Sequence, residues 1–257
     1  RIYAHVGGSD ADTYGASGQN ALGRGFKTVK TCLFDKVRFV ESPGFVDRVV
    51  ERMAALRKGV GPDIDIGIDF HGRVSPAMSI RLCQALEPYH PMFVEEPVLP
   101  ESVDALATVA RSTSIPIATG ERLFTKWGFR EVLEKQAAAI LQPDLSHAGG
   151  ILEVRKIAAM AEAYFASIAP HCPLGPISLA AGLQVDACTP NFLCQEQVCL
   201  GEGYIKDPFV VQDGYVDVPT GPGLGIEVDE EALKDRVCDG GWASPALWHD
   251  DGSVADW

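Results

Sequence analysis

The sequence predicts an α/β fold, a (β/α)7β TIM-type barrel over residues 1–198 followed by a C-terminal segment over 199–257 that packs on it. Three observations carry this. Short apolar runs recur, and each ends in an acid or an imidazole: Asp69 with His71, then Glu95, Glu121, Asp144, His171 and Glu196. Counted from Asp69, the steps are 26, 26, 23, 27 and 25 residues, about what one strand, one helix and two loops occupy. The runs are continuously apolar and do not alternate, which marks parallel strands buried on both faces. The length of 257 residues also matches a single barrel of roughly 250 residues.

In chain order, residues 2–6 form an apolar run stopped by Gly7 and Gly8, the first strand. A weakly patterned stretch over 10–25 is the first helix, and 28–33 the second strand. Between 45 and 57 apolar residues fall at helical spacing (Phe45, Val46, Val49, Val50, Met53, Leu56), and Gly59, Gly61 and Pro62 stop the helix. The third strand ends at Asp69, where a spacing of two should turn Asp69 and His71 to the same side. Helices over 76–86, 101–111, 129–135, 151–164 and 177–187 then alternate with strands over 92–94, 116–119, 139–142, 167–169 and 192–194. Pro76 suits a first helical turn. The acids early and the arginine late in 101–111 suit the helix dipole. Beyond Glu196, the Gly- and Pro-rich stretch 208–225 could hold a hairpin and 230–237 a short helix. Trp242, Trp248 and Trp257 suggest a tail that docks on an apolar surface.

A net charge of −13 disfavours nucleic acid as a partner. It leaves room for an anionic substrate, because a bound cation can reverse the sign locally. No apolar run is long enough to span a bilayer. Seven cysteines without a CxxC pair fit reduced thiols in a cytoplasmic enzyme better than a disulfide framework. No GxGxxG follows a strand, so a dinucleotide-binding dehydrogenase is rejected.

Asp69, Glu95 and Glu121 end three successive strands. Carboxylates so placed repel unless a cation joins them, and an all-oxygen set suits Mg2+ over Zn2+. His71 and His171 are the acid–base candidates, since an imidazole exchanges a proton near neutral pH. Asp144, one strand before His171, could hold one ring nitrogen and raise the basicity of the other. His5, His90, His147 and His249 are read as structural.

Several stretches carry a resemblance: Asp69-Phe70-His71-Gly72-Arg73, Glu95-Glu96-Pro97, Gly120-Glu121-Arg122, the segment from Gln142 to Gly150, and the segment from Ala169 to Pro176. They resemble the enolase superfamily, mandelate racemase subgroup, and within it the D-galactonate dehydratases. The resemblance implies that Asp69, Glu95 and Glu121 ligate Mg2+. It implies that His171, paired with Asp144, removes the C2 proton of a sugar acid, and that His71 protonates the departing 3-hydroxyl. Glu196 would hydrogen-bond the ene-diolate intermediate, and the product would be a 2-keto-3-deoxy acid. A homo-oligomer is also implied. Racemases of this subgroup carry Lys-x-Lys on the second strand, whereas the pair here is Lys30 and Cys32. A two-base racemase is thereby disfavoured, and Lys30 is left as a residue near the substrate carboxylate. Family members also have an N-terminal α+β capping domain that nothing before Arg1 supplies, so N-terminal sequence is expected to be missing. The alternatives are a dehydratase for another aldonate, such as gluconate or mannonate, and a capless binder of metal or sugar acid without turnover.

Overall fold

A computed structural model describes residues 1–256 other than 239, 242, 244 and 245. Among the described residues seven parallel strands pair in sequence order: β1 (Ala4–His5), β2 (Thr28–Thr31), β3 (Asp65–Asp69), β4 (Phe93–Glu95), β5 (Ile117–Thr119), β6 (Ile140–Leu141) and β7 (Ser167–Ile168). The run expected as an eighth strand makes single parallel bridges instead, Ile168 to Phe192 and Ile2 to Gln195. Its pairing passes from β7 to the start of β1 within four residues, too few for a ladder on either side. Leu193 N–H donates to Ile168 O at 2.8 Å and Tyr3 N–H to Gln195 O at 3.3 Å, so the two sheet edges are joined and the cylinder closes.

The helices are α1 (Ala11–Gly23), α2 (Pro43–Val60), α3 (Pro76–Leu86), α4 (Val103–Ala110), α5 (Thr125–Glu134), α6 (Leu145–Ala148), α7 (Gly150–Ala163), α8 (Pro176–Asp186) and α9 (Glu230–Leu233). Local chemistry starts many of them. Asp10, Ser42, Ser75 and Ser102 each cap with a side-chain oxygen that accepts a backbone N–H of the first turn. Proline stands in the first turn of α2, α3 and α8. One apolar core fills the space between sheet and helices. A smaller plug of Tyr3, Phe93, Ala118, Ile140, Ala169 and Cys194 fills the barrel itself. Gly67 makes room for this plug, since a Cβ there would come within 2.5 Å of the Phe93 ring.

The segment after Glu196 braces the barrel from both ends. Leu200, Ile205 and Phe209 join the core. Gly214 accepts from Ile2 N–H at 3.0 Å and donates to Gly25 O at 2.7 Å, beside the start of β1. The hairpin sought in 208–225 reduces to a turn closed between Gln212 and Tyr215. The chain then returns as an antiparallel hairpin, β8 (Leu247–Trp248) and β9 (Val254–Asp256). Trp248 is 52% exposed, so the expected apolar docking is not made by that ring; Trp242 and Trp257 lie outside the described residues. The hairpin is anchored instead by a carboxylate, Asp256, which is buried. All seven cysteines are free. Among the described residues no helix is long and apolar enough to cross a membrane.

Candidate active site

The C-terminal ends of the strands carry the charges. β3 and β4 pair Asp69 directly with Glu95. Glu121 follows β5 through Gly120, whose φ of +147° and whose closeness to Gln142 N (2.8 Å from a built Cβ) exclude a side chain. Among the described residues these three acids form the group whose ligand atoms all lie within 4.8 Å of one another.

Lys30 of β2 stands on the inner side of the cluster. Its Nζ lies 2.7 Å from Glu95 Oε1, 2.7 Å from Glu196 Oε1 and 3.6 Å from Asp69 Oδ2. Burial pushes this ammonium down, but the carboxylates of Glu196 and Glu95 outweigh it and hold its pKa well above the ordinary value. Burial, then the neighbouring acids Asp69, Glu196 and Glu121, push Glu95 up despite Lys30. The cluster thus holds more negative charge than one ammonium balances. Gln142 Nε2 donates to Glu95 Oε2 at 2.7 Å, while its own Oε1 is buried without a hydrogen-bond partner. Oxygen donors in this excess fit a hard divalent cation.

Two imidazoles flank Glu121. His171 Nε2 is 3.6 Å from Glu121 Oε2 and His71 Nε2 is 3.4 Å from Glu121 Oε1. Behind His171, Nδ1 lies 2.9 Å from Asp144 Oδ2. Asp144 is itself fixed as the N-cap of α6, its Oδ1 accepting from Ser146 N–H at 2.7 Å and His147 N–H at 3.2 Å. Burial lowers the basicity of His171, but its bond to Asp144 and the charges of Glu196 and Glu121 outweigh this and raise its pKa.

His71 reaches the site by another route than strand alternation. β3 ends at Asp69, and His71 sits in the following turn with a left-handed φ of 53°. Its N–H donates to Asp69 Oδ1 at 2.8 Å. Glu196 accepts from Lys30 and, at 2.9 Å, faces His5 Nε2; its Oε2 accepts from Cys172 N–H at 2.7 Å. Burial raises this acid, yet Lys30, His5 and His171 together hold it well below the usual carboxylate range.

All eight residues singled out in the sequence, Lys30, Asp69, His71, Glu95, Glu121, Asp144, His171 and Glu196, therefore meet at one rim. His5 joins them although it was read as structural. It ends β1 just as the acids end their strands, and that shared position was the available signal. Asp256, which lies 2.8 Å from His71 Nδ1, gave no comparable signal. A cleft of about 840 Å3, lined by Phe39, Val74, Val98 and Leu99 together with Arg73 and Asp256, includes none of the three clustered acids.

A closed parallel barrel with an acidic rim flanked by imidazoles defines a class of β/α-barrel protein in which strand ends gather charged groups around one centre. Within that class, the chain belongs to the enolase C-terminal domain-like family, which matches residues 15–232. It is 45% identical over its whole length to a D-galactonate dehydratase of Variovorax paradoxus (strain S110) and 44% identical to one of Ralstonia nicotianae, covering 70% of each. Among solved structures it is similar to a mandelate racemase/muconate lactonizing enzyme-like protein from Roseovarius sp. TM1035, with 40% identity and a TM-score of 0.82 over 91% of this chain and 63% of that one. It is also similar to a member of the enolase superfamily from Salmonella Typhimurium, with 29% identity and a TM-score of 0.85 over 91% of this chain and 67% of that one.

Proposed function

We propose that this chain is the barrel of a Mg2+-dependent hydro-lyase that dehydrates a sugar acid, D-galactonate, to a 2-keto-3-deoxy acid. The observation that carries the reading is the pair of imidazole Nε2 atoms, 3.4 and 3.6 Å from opposite oxygens of Glu121, beside three carboxylates suited to one cation. The identity to D-galactonate dehydratases supports the choice of substrate.

Asp69, Glu95 and Glu121 would hold the cation. Bound there, a divalent ion supplies positive charge for the anion that forms when a proton leaves a carbon next to a carboxylate. The chain's own groups do the rest. His171, neutral and oriented by Asp144, takes the C2 proton on Nε2. His71 gives a proton from Nε2 to the departing 3-hydroxyl, which leaves as water. Lys30 Nζ and Glu196 Oε1 form an ion pair at 2.7 Å, and that pair, with the ammonium as donor, is our candidate for the hydrogen bond to the anionic intermediate. Cys32 offers no second base. Burial pushes its thiol up to about 11, and it accepts from Arg73 Nη1 at 3.2 Å.

The test is a panel of aldonates (galactonate, gluconate, mannonate) incubated with the protein and Mg2+ and assayed for 2-keto acid. Galactonate is expected to react fastest, and His171→Ala to abolish turnover with Mg2+ binding intact. Calorimetry should show Asp69→Asn, Glu95→Gln and Glu121→Gln each weakening Mg2+ at least roughly tenfold. Mg2+ binding without keto acid from any aldonate would refute dehydration in favour of a non-catalytic binder.

A further inference from the structure

The two imidazoles at Glu121 are built alike, and only one has an assigned partner. Asp144 backs His171 from within the barrel. The carboxylate behind His71 comes from the opposite end of the chain. Asp256, on β9, places Oδ2 2.8 Å from His71 Nδ1 and 2.6 Å from Arg73 Nε. Asp256 is 6% exposed, whereas Trp248 and Val254 in the same hairpin are 52% and 55% exposed. The hairpin therefore keeps much of its apolar surface in solvent and buries an acid, and the acid is spent on His71 and Arg73. Burial raises the Asp256 carboxyl, but Arg73 and His71 outweigh it and hold the group ionised below the usual range.

We propose that Asp256 is the positioning residue of His71: it accepts the Nδ1 proton, fixes that tautomer, and so turns Nε2 toward Glu121. This rests on reading His71 as the acid for the departing hydroxyl. In that step the C3–O bond breaks, the Nε2 proton goes to the leaving oxygen, and the neutral ring keeps its remaining proton on Nδ1, facing Asp256. The geometry also says what happens without the carboxylate. Arg122 Nη2 lies 3.2 Å from the same Nδ1 and donates to His71 O at 3.1 Å. With Asp256 gone, Nδ1 faces a guanidinium, which can only donate. The ring then keeps its proton on Nε2, the wrong tautomer for the neutral product of the step.

The first arm of the test needs neither metal nor turnover. Long-range proton–nitrogen NMR on 15N-histidine-labelled protein reads the tautomer, with His71 assigned by its loss in His71→Gln. The expected result is that the neutral form of the ring, the form left after the acid step, carries its proton on Nδ1 in the wild type and on Nε2 in Asp256→Ala. The second arm separates the two halves of the reaction. In Asp256→Ala, exchange of the C2 proton with solvent deuterium, which uses His171, should stay within about twofold. Water loss should fall roughly 10²–10³-fold, as for a lost general acid. A 3-deoxy-3-fluoro analogue, whose fluoride leaves without an acid, should react within a few-fold of wild type. Asp251→Ala, which removes the acceptor of Ser253 N–H in the hairpin turn, is the control and should change neither arm. An unchanged His71 tautomer in Asp256→Ala, or exchange and water loss falling together, would overturn the proposal. If the wild type neither exchanges the C2 proton nor loses water from any aldonate, the functional reading fails, and the tautomer arm still decides the role of Asp256.

Discussion

Replacing Lys30 by Met would test whether the rim is held together by a buried ammonium. The Lys30 side chain is 3% exposed, and those of its partners Glu95 and Glu196 are 1% and 2% exposed. Removing one member of a buried ion pair leaves the other charge without compensation, which costs about 3–5 kcal/mol. Glu95 and Glu196 at 2.7 Å and Asp69 at 3.6 Å surround this ammonium, and the partly exposed His5 can relieve only Glu196. For a chain of this size each kcal/mol moves the thermal midpoint by roughly 2–4 °C, so a fall of roughly 6–20 °C is expected. Chemical denaturation and thermal melts in the presence of a chelator measure it. Saturating Mg2+ should then raise the midpoint of Lys30→Met by more than that of the wild type, because the variant's cluster carries the larger unbalanced negative charge. A destabilisation below ~1 kcal/mol, the size of an exposed pair, would refute the reasoning.

Other parts of the structure give further expectations. Asp144→Asn should lower turnover and C2 proton exchange together, by roughly 10²–10⁴-fold, because it disturbs the base half of the site; stopped-assay rates and deuterium exchange by NMR check this. Gly67→Ala forces a methyl against the Phe93 ring inside the barrel and should cost about 1–3 kcal/mol in denaturant unfolding. Glu153 of α7 accepts from Lys126 N–H at 3.0 Å. That bond and Lys156 hold its carboxyl at about 2. A depressed native pKa stabilises the fold above the unfolded value near 4.3, and the stability is lost as pH falls toward 2. Glu153→Gln should therefore melt below wild type at pH 7, with the two melting curves converging toward pH 2.

Much of this architecture was legible because the barrel repeats one local grammar. Each strand is short, apolar and closed by a polar residue, so Asp69, Glu95, Glu121, Asp144, His171 and Glu196 could be placed on one rim from spacing alone. The helix with the faintest pattern, α1, has a physical reason for it. Gly15 and Gly18 face α2 so closely that a Cβ on Gly18 would meet Val60 and Leu56 at 2.6 and 2.7 Å. Packing there is bought with absent side chains, which leave no hydrophobic period to read. The start of α5, four residues earlier than expected, was hidden because Phe124 cannot cap it and the acceptor for its first turn, Glu153, lies on another helix. Strand alternation gave the right neighbourhood for His71 by the wrong path, since a left-handed turn delivers the ring. Asp256 was unreadable for a different reason: its partner is 185 residues away, and no periodicity links a barrel turn to a C-terminal hairpin.

The two halves of the site consequently differ in what holds them. The acids on β3 and β4 are set by ladder register, Asp69 opposite Glu95, and His171 is set by a helix cap whose acceptor is buried. These parts shift only if the barrel shifts. His71 is set by a turn and by a short hairpin with exposed apolar residues, the kind of element that opens locally at low cost. A change in the C-terminal segment is therefore expected to disturb the setting of His71 and leave that of His171 in place. On the proposed reading, the barrel would hold the base and its partner, and the C-terminal hairpin would hold the partner of the leaving-group acid.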